Sequence, residues 1–444
     1  MKQNAIFTTS TIMPSAESEI GNDASQSDTD CNLGKAEFDD FDGKQAWVVV
    51  TAAACSLFVY LGVLYSWGVM QVRLLETSST SLTTLMFIGS LASSFMVSVS
   101  IPAGLVVQRI GYRMTALTGA MMMGLGEFLA SWLTHHVEAL FIVHGVMFGM
   151  GGGLSIFLTA KAVSTAPIRW FRKHRGLSMG IVLGGGSVGS AVMSVVTTVL
   201  VKHVDVAWTF RILGFLLWAV CIPSAFLIRP PPGSDNSHLQ LQWFRFRDFK
   251  FLILLLGTAC ATFPLFIPPY FIPIFARTVT SWEHAAVLGL AVWNVASTIG
   301  RVGAGHLSDC LLGPMNSLVL CLLLTGLSML VVWPFASSMA VLMCFIVLNG
   351  IGCGAFFSLV PVVLGSAFGA TNVLGTIPLI WTTWFFGFFF GSPIGSGLYS
   401  LAGRGDSVEA YRPAAYYGGA MSLMGMLFIL AVRLMQNKTV FTKV

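Results

Sequence analysis

Four residues able to do chemistry stand inside stretches with almost no other charge: Glu127, His144, Lys161 and Arg301. A charge in hydrocarbon is costly, so each needs a partner, a water-filled space or a route to the surface. Arg301 carries a planar guanidinium that can hold a carboxylate through two parallel hydrogen bonds. It could equally snorkel to the membrane edge or reach Asp309 further along the same helix. Lys161 offers a point charge for an anionic group, or snorkels in the same way. Glu127 is the sole acid within the apolar stretches, and His144 lies at a similar depth on the next one. The two can therefore meet across an antiparallel hairpin. A neutral pair is the plain outcome, because burial disfavours charge. A coupling role is the other, with His144 having the ordinary pKa nearest neutrality.

Tyr65, Asn294 and Trp381 lie in the same apolar stretches, with Trp67, Trp293, Asn349 and Trp384. Together they suggest an aromatic, sparsely charged cavity, suited to an organic acid larger and more apolar than lactate. A mid-span Asn serves either as a ligand contact or as a hydrogen bond between helices. Glycines at 145, 149 and 153, and at 180 and 184, recur every four residues, a spacing that lets helix backbones approach closely. They lack the Lys-Ser/Thr of a phosphate-binding loop. The eight cysteines form no CxxC pair and read as small apolar residues. No cluster of His, Cys or paired carboxylates could run catalysis, so no enzyme, cofactor or metal is expected.

The elements that must position these residues are membrane spans. The 444-residue chain is 55% hydrophobic and 10% charged, with mean hydropathy +0.79, against about a quarter charged in soluble proteins. Apolar runs of the ~20 residues that cross a bilayer recur along it. They are expected near 46–72, 82–107, 114–133, 139–164, 177–200 and 207–228, then 250–276, 284–307, 315–334, 338–364, 373–400 and 414–436. The fold class is an all-α membrane protein of twelve transmembrane helices in two six-helix bundles. Residues 1–45 form a polar tail expected to be disordered, with no secretory signal. The bundles occupy 46–228 and 250–436, joined by a 229–249 linker and followed by a 437–444 tail. With the amino terminus in the cytosol, sixteen of the 24 Lys and Arg residues fall inside and six outside, in keeping with the positive-inside rule. Tags on either terminus should thus resist external protease in intact cells. Exposure of either tag would reverse the topology.

The two halves carry a faint repeat: GLVVQRIGYR at 104–113 after the second span, GHLSDC at 305–310 after the eighth. Parallel repeats of this kind, with a site at their interface, occur in secondary transporters. The first segment resembles the G-x-x-x-D-R-x-G-x-R loop of the major facilitator superfamily, through Gly104, Arg109, Gly111 and Arg113, with Gln108 in place of the usual Asp. Asp309 is its counterpart in the second half. Entering the fifth span, WFRKHRGLSMGIVLGG is similar to the signature of the monocarboxylate transporter family, through Phe171, Lys173, Arg175, Leu177, Gly180 and Gly185. DGKQAW echoes a second family signature with Asp42, Gly43 and Trp47. YSWGV, GRVGAGHLSD and GSPIGSGL resemble segments of the family's fungal branch.

That resemblance implies a secondary transporter working by alternating access, with a small organic molecule as substrate and the lipid bilayer as surroundings. No nucleic-acid partner is expected, and no accessory subunit is named by the sequence. The proton-coupled carriers of the family pair an Asp with the Arg that Arg301 matches, but here that position is Ser297. Their Lys in the first span has Tyr65 or Ser66 in its place, a loss that Lys161 could partly offset. Export of an amphiphilic organic acid or secondary metabolite across the plasma membrane is therefore expected. Uptake of a small monocarboxylate and a transporter-like nutrient sensor are the alternatives. Dependence on pH should come mainly through ionisation of the substrate, with Glu127 and His144 as the residues that could overturn this.

Overall fold

The computed structural model describes residues 44–78, 80–155, 175–228, 241–282, 284–369, 373–403 and 407–436. Lys161, Phe171 and Lys173 lie outside these, as do residues 1–43 and 437–444 and most of the linker, while Lys44 and Gln45 of the expected tail already belong to a helix. Arg175 and Gly180 belong to a described helical backbone, with side chains outside the described set. Every regular element among the described residues is helical.

Ten helices are long and apolar enough to cross a membrane, and a bent pair, Leu82–Ser98 with Ser100–Ala130, passes the same test. The second member of that pair contains Gly111 at φ 80° and ψ 170°. This left-handed backbone suits a residue without Cβ and interrupts the helix between Arg109 and Arg113. Val107 and Ala116, on either side of the break, pack in one apolar cluster. Divided there, the pair gives two segments, and the described residues are consistent with the twelve expected spans.

We label them α1 (Lys44–Thr77), α2 (82–110), α3 (112–130), α4 (Val137–Ser155), α5 (Arg175–His203) and α6 (Val206–Leu227). The second set is α7 (Phe249–Val279), α8 (Ala285–Leu312), α9 (Pro314–Phe335), α10 (Met339–Phe368), α11 (Val373–Leu401) and α12 (Val408–Gln436). Two details depart from expectation. The seventh span is interrupted at 263–266, where Pro264 supplies no N–H to the helix ladder and Pro268 and Pro269 open the next segment. The eighth extends past 307 through a π turn, Ser308–Leu312, so Arg301 sits deeper than expected.

Within the first half, α1 packs chiefly on α5 and α3 on α6; within the second, α8 packs on α10 and α7 on α12. The halves meet along α2–α11, α5–α8 and α1–α7. On α4 the glycine spacing operates as expected: a β-carbon on Gly149 would stand 2.6 Å from the Ala92 carbonyl of α2. On α5 the seam is displaced from the expected Gly184, which has open space. Gly185 and Gly189 instead meet Ala54 and Phe58 of α1. Successive helix residues are about 100° apart, so a one-residue change of register moves the contact to another face.

Candidate functional site

Arg301 reaches from the second half to the first. Its Nη1 donates to the Leu183 carbonyl on α5 at 3.2 Å, and its Cζ lies 5.4 Å from the ring centre of Phe357 on α10. The Tyr65 hydroxyl of α1 lies beside it, close enough for electrostatic contact. Its Nε has no hydrogen-bond partner among the described residues. The guanidinium thus spans the interface between the halves, instead of escaping toward the membrane edge.

An aromatic cluster surrounds this charge. Tyr65 stacks on Phe266 at 5.2 Å and tilts against Trp293 at 5.8 Å. Phe266 meets Phe388 edge-on at 5.1 Å, and Phe388 stacks on Phe357 at 6.4 Å. Trp384 touches Phe356, Phe357, Phe388 and Trp381. The break in α7 puts Phe266 here. Leu183, Arg301, Phe357 and Trp381 are half-buried. Counted from residues 175, 312, 368 and 373, each lies eight to eleven residues from the same end of the bundle, roughly 12–17 Å deep. Tyr65, Phe266 and Trp293, on the other side of the cluster, are buried.

The expected residues are only partly gathered. Arg301, Tyr65 and Trp381 share the cluster. Asn294 recurs with Ser297 and Arg301 at helical spacing, but its amide donates to its own helix at the Leu290 carbonyl, 3.0 Å. Asn349 ties helices together: it accepts from Trp293 Nε1 at 3.0 Å and donates to Ser328 Oγ at 3.1 Å. Glu127 and His144 are in contact within the first half, 2.7 Å apart. Arg109, Arg113 and Asp309 are exposed, while Gly104 is buried. Sequence reasoning missed Phe266, Phe357, Phe388 and the Leu183 carbonyl. The chain has 34 phenylalanines, so none stands out by type, and a backbone acceptor has no sequence signal.

The two halves are also fastened beyond the cluster, at the end of α1 that the charge bias places outside. Gln71 donates to the Tyr270 carbonyl at 2.6 Å, and Glu76 accepts from Arg277 at 2.6 Å while also holding Arg73 at 2.8 Å. Thr83 and Ser396 share a hydrogen bond of 3.0 Å. Gly68 abuts Pro269, where a β-carbon would come within 2.5 Å of the carbonyl oxygen.

Two helical bundles thus meet around a charged aromatic cluster, with further contacts fastening the interface beyond it. The chain matches the Major Facilitator Superfamily over residues 52–316 and belongs to that superfamily. It is a multi-pass membrane transporter, not an enzyme. It is 30% identical over 402 residues to the MFS transporter asaE of Aspergillus flavus, covering 88% of this chain and 87% of that one. It is 27% identical over 362 residues to the MFS-type transporter pynF of Aspergillus niger, covering 80% and 82%. With the Fujikurins efflux protein of Gibberella fujikuroi it shares 25% identity over 413 residues, 89% and 84% of the two chains.

Proposed function

We propose that this transporter exports an amphiphilic organic acid of the secondary-metabolite kind across the plasma membrane, as a porter of monocarboxylate type. The observation that carries the reading is the half-buried guanidinium of Arg301, set in an aromatic cluster between the halves. A planar cation selects a carboxylate or a comparably delocalised anion. The flanking rings favour a large apolar body, since aromatic faces bury much area and attract the cation as well. A small hydrophilic acid would leave those rings unused. The likeness to a protein named for fujikurin efflux supports export. Asn294 and Lys161 remain candidate contacts for the substrate's polar groups.

The test uses inside-out vesicles from cells expressing the full chain, offered lactate, phenylpyruvate or a fujikurin. Accumulation of the larger compounds, with lactate left behind, is the expected result. Accumulation of lactate alone would establish the small-monocarboxylate reading, and accumulation of none with binding intact would favour a sensor.

A further inference from the structure

Glu127 and His144 present a feature that the transport site does not explain. Their contact, Oε1 to Nδ1, is buried, with side chains 0% and 2% exposed. The imidazole is held between rings, stacked on Trp67 at 4.3 Å and Phe148 at 5.1 Å, with Phe210 of α6 edge-on at 6.3 Å. Glu127 Oε2 and His144 Nε2 have no hydrogen-bond partner among the described residues. A pair serving only to join α3 to α4 gains nothing from two unsatisfied buried atoms, each of which costs stability.

The pair is not isolated. Tyr60 of α1 packs on Phe148 at 5.1 Å. Its buried hydroxyl also has no partner among the described residues, and it lies within electrostatic reach of Glu127, Tyr65 and Tyr270. The Tyr270 hydroxyl is likewise buried, beside Ser93 and near Tyr65. Tyr65 in turn adjoins Arg301. Tyr60 thus adds a third buried polar group beside the Glu127–His144 pair. No other described charge faces the pair. From α2 come serine hydroxyls, of which Ser93 and Ser94 bond the Ser90 carbonyl. On α6, Arg211 turns to Ser131 at 3.1 Å and to the rings of Trp132 and Trp208. His135, His136 and Glu138 are exposed.

We propose that Glu127 and His144 form a proton-binding site within the first half, beside the rings of Trp67 and Phe148. With one proton between them the pair is neutral overall, as carboxylate and imidazolium or as carboxyl and imidazole, which burial tolerates. A second proton goes to whichever of the two remains basic and leaves a net positive charge beside the aromatic faces of Trp67 and Phe148, which favour a cation. The two protons belong to the pair and not to either residue. Use of this site to drive transport rests on the proposed function, but its existence does not. It departs from the expectation that the substrate alone carries the pH response.

The experiment needs no substrate. The full chain in phosphatidylcholine nanodiscs is stepped from about pH 8 to about pH 5, the range over which histidine changes charge. Infrared difference spectra are then recorded at the carboxyl stretch of a water-shielded acid. The wild type should show that band appear or shift with pH. Glu127→Gln should lose it, and His144→Gln should hold it unchanged across the range, because the carboxyl then has no cationic partner. The wild-type spectrum decides the matter even where a variant fails to insert. Absence of a pH-dependent shielded band there, or its persistence in both Glu127→Gln and His144→Gln, overturns the proton site. None of these outcomes bears on substrate capture by Arg301.

Discussion

Replacing Arg301 with lysine should reduce transport roughly ten- to hundredfold while leaving the amount of protein in the membrane unchanged. The guanidinium makes one hydrogen bond to the Leu183 carbonyl, lies over Phe357 and keeps Nε without a partner among the described residues. Part of the donor set is therefore committed to the protein, beside the Tyr65 hydroxyl, and Nε remains for an anion. Lysine keeps the charge but has no planar fork, so it cannot serve carbonyl, ring and carboxylate together. Loss of one hydrogen bond to a charged group costs about 1.5–3 kcal/mol, which sets the range given. Alanine should be worse than lysine, having neither charge nor donor. Initial rates for whichever acid accumulates in the vesicle panel, normalised to surface protein, provide the measurement. Full activity in Arg301→Lys would remove the bidentate role, whereas loss of the protein from the membrane would assign Arg301 to the α5–α8 contact.

Gly68→Val should shift the transporter toward the arrangement open at the α1–α7 end. A β-carbon at this position would meet the Pro269 carbonyl at 2.5 Å, and that oxygen belongs to backbone that cannot swing aside. Overpacking of this kind costs about 1–3 kcal/mol. The cost falls only on the state in which α1 and α7 touch, so it moves a population instead of unfolding the chain. Each ~1.4 kcal/mol changes the ratio of states about tenfold. Ser396 is a suitable reporter: it is buried and bonded to Thr83 across the α2–α11 interface. In a cysteine-free background, Ser396→Cys should react with an external, membrane-impermeant maleimide about tenfold faster or more when Gly68→Val is added. An unchanged rate at normal surface expression would show that these contacts persist in the outward-open state.

Much of the fold was legible because a bilayer imposes a simple rule. Backbone groups in hydrocarbon must be satisfied within their own helix, so runs of apolar residues broken by polar turns translate directly into spans. The exceptions have local causes. Pro264 interrupts the seventh span, a π turn lengthens the eighth, and Gly111 makes the 82–130 region two helices within a continuous stretch of helical turns. Periodicity registers none of these, since a proline or glycine inside an apolar run can bend, break or pass unnoticed according to what packs beside it.

The candidate site was legible by type and hidden by geometry. Charge is rare enough in this chain that Arg301, Glu127 and His144 declare themselves from composition, and a matching depth suffices to suggest that the last two meet. Type alone left Arg301 free to serve a substrate, the membrane edge or Asp309. Only the approach of α5 and α10 to α8 put Leu183 and Phe357 around it. Asn294 and Asn349 look alike in sequence, yet one bonds its own helix and the other joins Trp293 to Ser328. The apolar runs and the side chains too costly to bury without purpose could be read residue by residue, because solvation in a bilayer acts on each where it stands. Packing alone established which helices meet, that α5 presents Gly185 and Gly189 to α1, and that Leu183 and Phe357 flank Arg301. Those are relations between residues distant in the chain, fixed by which helix faces pack together, and no local pattern encodes them.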